Sequence, residues 1–155
     1  MALGTLRMMK SWFVWALLSA VFAGATAILA KVGVQGVNSN LATAIRTTVV
    51  LVFAWLVAVP TLRQTAFAEI SNRTWVFLIL SGFATGLSWL CYFRALQLGR
   101  ASQVAPVDKL SVVVAIVLAF LFLGERLSWR GGLAVLLIVA GVLLLAIEPS
   151  ASTPK

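Results

Sequence analysis

Five long apolar stretches, separated only by short polar breaks, constrain this chain more than any other feature. They run from about Ser11 to Val34, Leu41 to Pro60, Thr74 to Leu98, Ala101 to Leu123 and Trp129 to Ile147. A helix needs about 20 predominantly apolar residues to cross a hydrocarbon core about 30 Å thick, and each stretch meets that length. In lipid every backbone polar group must find a partner inside the protein, so only helices and closed barrels can span. Barrel strands would alternate apolar and polar residues, and runs such as Val112–Phe122 and Leu133–Ile147 do not. The expected fold is all-α, a polytopic membrane helix bundle of about five transmembrane helices.

Composition closes off the soluble alternative. Of 155 residues, 62% are hydrophobic and only 10% charged, against about 25% charged in an average soluble protein. So few charges cannot cover a water-facing globule of this length, and apolar side chains must meet lipid. The lipid bilayer is therefore the first expected partner. The net charge of +8 does not point to nucleic acid, because the basic residues fall between apolar runs as topology signals. The short basic leader with Arg7 and Lys10 resembles a signal peptide, but the apolar run behind it exceeds the roughly 7–15 residues of such a segment. It reads as an uncleaved first helix. The expected organisation is a leader over 1–10, a transmembrane domain over 11–147 and a small polar tail over 148–155.

The connections are Gln35–Asn40, Thr61–Arg73, Gly99–Arg100 and Gly124–Ser128. None can hold a soluble domain, so function must lie within the membrane. Asn40 and Ser128 are expected N-caps, and Gly99 and Gly124 expected helix stops. An odd number of spans puts the termini on opposite faces. The N-terminal side carries Arg7, Lys10, Arg63, Arg73, Arg126 and Arg130, against loop cations at Arg100 and Lys155. The positive-inside rule then places the N-terminus in the cytoplasm and the protein, multi-pass, in the cell (inner) membrane. Adding Lys31, Arg46, Arg94 and Lys109, which lie near the opposite face, evens the count at six each, the balance of a chain able to insert both ways.

Ionisable side chains inside spans are costly and tend to face a bundle interior or a watery cavity. Lys31, Arg46, Arg94, Asp108 and Lys109 are of this kind. At 1.5 Å rise per residue all lie within roughly 5–12 Å of one face. Lys31 can snorkel to the interface. Arg46 and Arg94 can bind backbone carbonyls of neighbouring helices, and Asp108 can pair with an arginine. Asp108 and Lys109 stand about 100° apart on a helix and are expected not to face each other. Read together, the five form a basic vestibule for a polar or anionic solute. Thr85, Trp89 and Tyr92 share a stripe on the third helix that could floor it, although such stripes more often pack. The candidate substrate-binding residues are thus Lys31, Arg46, Trp89, Tyr92, Arg94, Asp108 and Lys109.

Trp12, Trp15, Trp75 and Trp129 sit near span ends as interface anchors. Gly82 and Gly86 form a small-xxx-small pair that lets helices approach closely. Pro106 predicts a kink beside Asp108. The lone Cys91 excludes an internal disulfide and reads as a small packing residue. Without histidine or carboxylates at ligand spacing, no metal and no cofactor is expected. Intramembrane catalysis needs a nucleophile–base pair or a metal cluster, and neither is visible, so an enzyme is not expected.

The stretch Arg94-Ala-Leu-Gln-Leu-Gly-Arg-Ala-Ser-Gln-Val-Ala-Pro-Val-Asp-Lys-Leu-Ser-Val-Val, followed by Leu123-Gly-Glu-Arg-Leu and Gly132 to Leu145, resembles the EamA domain of the drug/metabolite transporter superfamily. The resemblance covers all five spans and is most specific over 94–141. Members commonly carry ten helices as two five-helix halves of inverted topology, and this chain looks like one half alone. The resemblance therefore implies a transporter of a small-molecule substrate, assembled as a homodimer or with a related small membrane protein. Small multidrug-resistance relatives use a glutamate in their first helix as proton carrier. No acid stands in the first helix here, which disfavours proton-coupled export of cationic drugs. It also implies that Gly124-Glu125-Arg126 forms a tight turn with Glu125 neutralised by nearby cations. The alternative reading is a flippase-like or accessory membrane subunit handling lipid-linked intermediates.

Overall fold

Six α-helices carry the apolar stretches. The computed structural model describes residues 2–62 and 70–148, with side chains from residue 12 onward. The helices are α1 (Ala2–Gly33), α2 (Ser39–Ala58), α3 (Asn72–Leu98), α4 (Ala101–Asp108), α5 (Ser111–Leu123) and α6 (Trp129–Ala146), with a 3₁₀ turn over Val59–Thr61 after α2. Five segments are long and apolar enough to cross a bilayer: Trp12–Gly33, Ser39–Thr61, Asn72–Leu98, Ala101–Leu123 and Trp129–Ala146. No strand occurs among the described residues, and the chain is an all-α multi-pass membrane protein. Arg63, Lys155 and the tail from Pro149 lie outside the described residues, as do the side chains of Arg7 and Lys10.

Helix ends follow local chemistry, with two corrections. The N-cap of α2 is Asn38 rather than Asn40: the Asn38 side chain accepts from the Asn40 N–H at 2.9 Å. A cap needs extended backbone ahead of the helix, which Asn38 has and Asn40, already helical, does not. The third span begins at Asn72, two residues ahead of the expected Thr74, because Ser71 Oγ accepts from the Thr74 N–H at 3.1 Å. Ser128 caps α6 as expected, accepting from the Gly131 N–H at 3.2 Å. Gly124 ends α5 in the left-handed region with φ 68°, where a side chain would be strained. Gly36, in the turn after α1, has φ 72°. Gly99 follows α3 without a positive φ.

The fourth span is broken where Pro106 predicted a kink. Proline has no N–H to continue the ladder. Lys109 and Leu110 then donate to Pro106 and Val107, three residues back, at 3.0 Å each. This 3₁₀-type tightening separates α4 from α5.

Two compact units share the chain: residues 30–98, and residues 1–29 with 99–155. In the first, α2 packs on α3, and Ala30, Val34, Phe93, Leu96, Ser39 and Thr43 are buried. In the second, α4 packs on α6. There Gln103 Nε2 donates to the carbonyls of Ala146 at 3.4 Å and Glu148 at 3.2 Å, beyond the last turn of α6. Most large apolar side chains are exposed, including Trp12, Trp15, Trp75 and Trp129 near span ends. That is the surface lipid requires. Gly82 and Gly86 meet nothing within 4 Å of where a Cβ would stand. Their face of α3, with Ile79, Phe83, Leu87 and Leu90, forms an open groove of about 420 Å³. Among the described residues no close approach is made at these glycines. Cys91 is likewise exposed rather than packed.

Candidate functional site

Three of the five predicted ionisable residues belong to the unit of residues 30–98, and each is held differently. Lys31, in the last turn of α1, donates from Nζ to the Leu96 carbonyl at 2.6 Å. The last four carbonyls of a helix have no partner within it. Leu96 belongs to the last turn of α3 and is fully buried. An ammonium satisfies such a carbonyl and also opposes the negative helix end.

Arg94 is exposed and donates from Nη1 to Gln97 Oε1 at 3.0 Å, and Gln97 Nε2 donates in turn to the Val37 carbonyl at 2.6 Å. This relay joins α3 to the turn between α1 and α2. With Lys31, Gln35 and Gly36 these residues line a cleft of about 370 Å³.

Among the described residues Arg46 bonds no carbonyl. Its guanidinium carbon lies 4.4 Å from the ring centre of Trp89 and 5.3 Å from that of Phe93. Within about 6 Å of a ring face, a cation is attracted by the ring's quadrupole. Tyr92 is half-buried and meets Phe93 edge-on at 6.4 Å between ring centres. Thr85 does not join Trp89: it is exposed, and its hydroxyl donates to the Ser81 carbonyl of its own helix at 2.9 Å.

Asp108 and Lys109 belong to the other unit. They pair with each other, Lys109 Nζ to Asp108 Oδ2 at 3.4 Å, with side chains 35% and 56% exposed for Asp108 and Lys109. The expected divergence by 100° fails because α4 stops at Asp108 and the four-carbon lysine stem can fold back. Among the described residues no arginine pairs with Asp108. Glu125 makes no ion pair among the described residues, although the turn it occupies is tight: its N–H donates to the Ala119 carbonyl at 3.3 Å.

Sequence reasoning missed Phe93, Gln97 and Gln35. Phe93 carries a readable signal, since it stands four residues after Trp89 and so one turn along the same face. Gln97 has none, because its partner is a carbonyl some 60 residues earlier in the chain.

A family model described as "EamA-like transporter family" matches residues 10–147. The chain is 54% identical over 140 residues to a protein of Sinorhizobium sp named "Uncharacterized transporter in cobO 3'region", covering 90% of this chain and 99% of that protein. It is 28% identical over 139 residues to "Uncharacterized transporter YxxF" of Bacillus subtilis (strain 168), covering 89% of this chain but only 43% of that protein. No solved structure matches at a significant level.

Proposed function

The chain belongs to the EamA-like transporter family, and from that premise we propose that it carries a small metabolite across the cell membrane as a pair of five-helix halves. The length relation to the Bacillus transporter carries this reading. Nearly the whole chain aligns with under half of that relative, which leaves room there for a second unit of the same size. The Sinorhizobium relative matches this chain in length, so a single unit also occurs alone. A carrier works by exposing one site alternately to two sides, which paired repeats achieve by moving against each other. A lone half needs a second copy, or a related small protein, for the same motion.

The solute-facing group in this reading is Lys31, Arg46, Trp89, Tyr92 and Arg94. A cleft of about 370 Å³ beside Lys31 and Arg94 supports it, since small-molecule sites run from roughly 300 to 1,000 Å³. Asp108 and Lys109 act as a local pair. The cations Arg73, Arg126 and Arg130 on one side of the spans, against Arg100 in a loop on the other, support an N-terminus on the cytoplasmic side of the inner membrane.

The span count supplies a test. Because five is odd, fusing two copies head to tail turns the second upside down relative to the first. Native mass spectrometry should find the single chain as a dimer. The tandem should run as one polypeptide and release the same solutes from proteoliposomes loaded with a metabolite mixture. Recovery of the single chain as monomers only would overturn the pairing. Release no faster than from protein-free vesicles would overturn the carrier.

A further inference from the structure

Arg46 differs from Lys31 and Arg94 in making no hydrogen bond to an oxygen among the described residues, although the Tyr92 phenol stands near enough to act on it electrostatically. Lys31 has the Leu96 carbonyl and Arg94 has Gln97 Oε1. Arg46 has the rings of Trp89 and Phe93, and among the described residues no oxygen accepts from its guanidinium. α1, α2 and α3 contain no aspartate or glutamate at all. Arg46 lies seven residues into α2, about 10 Å along the helix at 1.5 Å per residue. It is half-buried, and a guanidinium does not lose its charge. A permanent charge at this depth calls for an anion or a watery cavity.

The ring contacts say what kind of anion suits. The rings attract the cation but carry no negative charge to neutralise it. The guanidinium N–H groups form a planar fork that matches a carboxylate in two parallel hydrogen bonds. One fork fits one negative charge, and the partly exposed Trp89 indole favours a flat apolar body beside it. We propose that the Arg46 fork, framed by Trp89 and Phe93, binds the carboxylate of a small organic anion whose body is planar or apolar. This rests on the carrier reading above and narrows its solute to that class.

Benzoate, benzamide and benzylamine share a shape and differ in charge, while acetate keeps the charge and lacks the ring. The four are titrated into the purified full chain in detergent micelles and read by calorimetry. Benzoate should bind, with benzamide and benzylamine at least about tenfold weaker, as loss of a charge-assisted bond implies. Acetate should also bind more weakly than benzoate. Arg46→Gln should lose benzoate by at least about tenfold. Arg46→Lys should fall between, since an ammonium keeps the charge without the fork. Benzamide binding as well as benzoate, or no benzoate binding, overturns the proposal in the unaltered protein, whatever the variants do. Unchanged benzoate affinity in Arg46→Gln overturns it too. Proteoliposome flux keeps this separate from the carrier reading. A chain that carries only neutral or cationic solutes is a transporter without this site. A chain that binds benzoate through Arg46 and moves nothing has the site without transport.

Discussion

Replacing Lys31 by methionine tests the tie between α1 and α3. Methionine keeps most of the apolar stem and removes the ammonium that sits 2.6 Å from the Leu96 carbonyl. That carbonyl has no helical donor, because α3 ends two residues later, and Leu96 is 0% exposed. Leaving a buried acceptor unpaired costs about 1–3 kcal/mol, and losing a cation at a helix C-terminus costs about 0.3–1 kcal/mol. The sum, about 1–4 kcal/mol, corresponds to roughly 3–16 °C in melting temperature for a chain of this size. Circular dichroism at the helical band, with the protein in dodecyl maltoside, measures it. Lys31→Arg, which keeps a donor, should lose less. A Lys31→Met melting point within about 1 °C of the unaltered chain, under half a kcal/mol on the same scale, would refute the capping argument.

Three further outcomes follow from the same geometry. Asn38→Ala should cost about 1 kcal/mol by removing the α2 cap, while Asn40→Ala should cost almost nothing; thermal melts of the two variants decide which asparagine caps. Asp108→Asn should shift stability by no more than about 1 kcal/mol, because its ion pair is long and exposed; a much larger loss would show that assembly buries it. A Cβ at Gly86 meets nothing within 4 Å among the described residues, so the melting point of Gly86→Leu should hold while the dimer fraction in native mass spectrometry falls, and an unchanged fraction would turn that groove towards lipid instead.

The spans were legible because lipid permits so few solutions: an uninterrupted apolar run of bilayer length has to be a helix. Ser128 and Gly124 were legible for a similar reason, since each is the one residue at its junction with the right chemistry. Asn38 was not, because Asn38, Ser39 and Asn40 are all good caps and only backbone conformation separates them. The charged side chains show where local pattern stops. Depth along a helix identified Lys31, Arg46 and Arg94 as belonging near one level, but not their partners. Whether a lysine reaches water or a buried carbonyl depends on which helix end lies beside it. Likewise the 100° rule for neighbouring residues assumes an unbroken helix, and Asp108 is the last residue of one.

The tightened joint at Lys109 and Leu110 also changes how the fourth span should be read by mutation. A 3₁₀ step turns about 120° and rises about 2.0 Å, against about 100° and 1.5 Å in an α-helix. Each such step advances α5 by about 20° and about 0.5 Å relative to an unbroken cylinder. A helical wheel drawn straight from Ala101 to Leu123 therefore misassigns which side chains share a side. Two wheels, one for each piece and offset at the joint, give the phase in which a cysteine or alanine scan of this span will repeat.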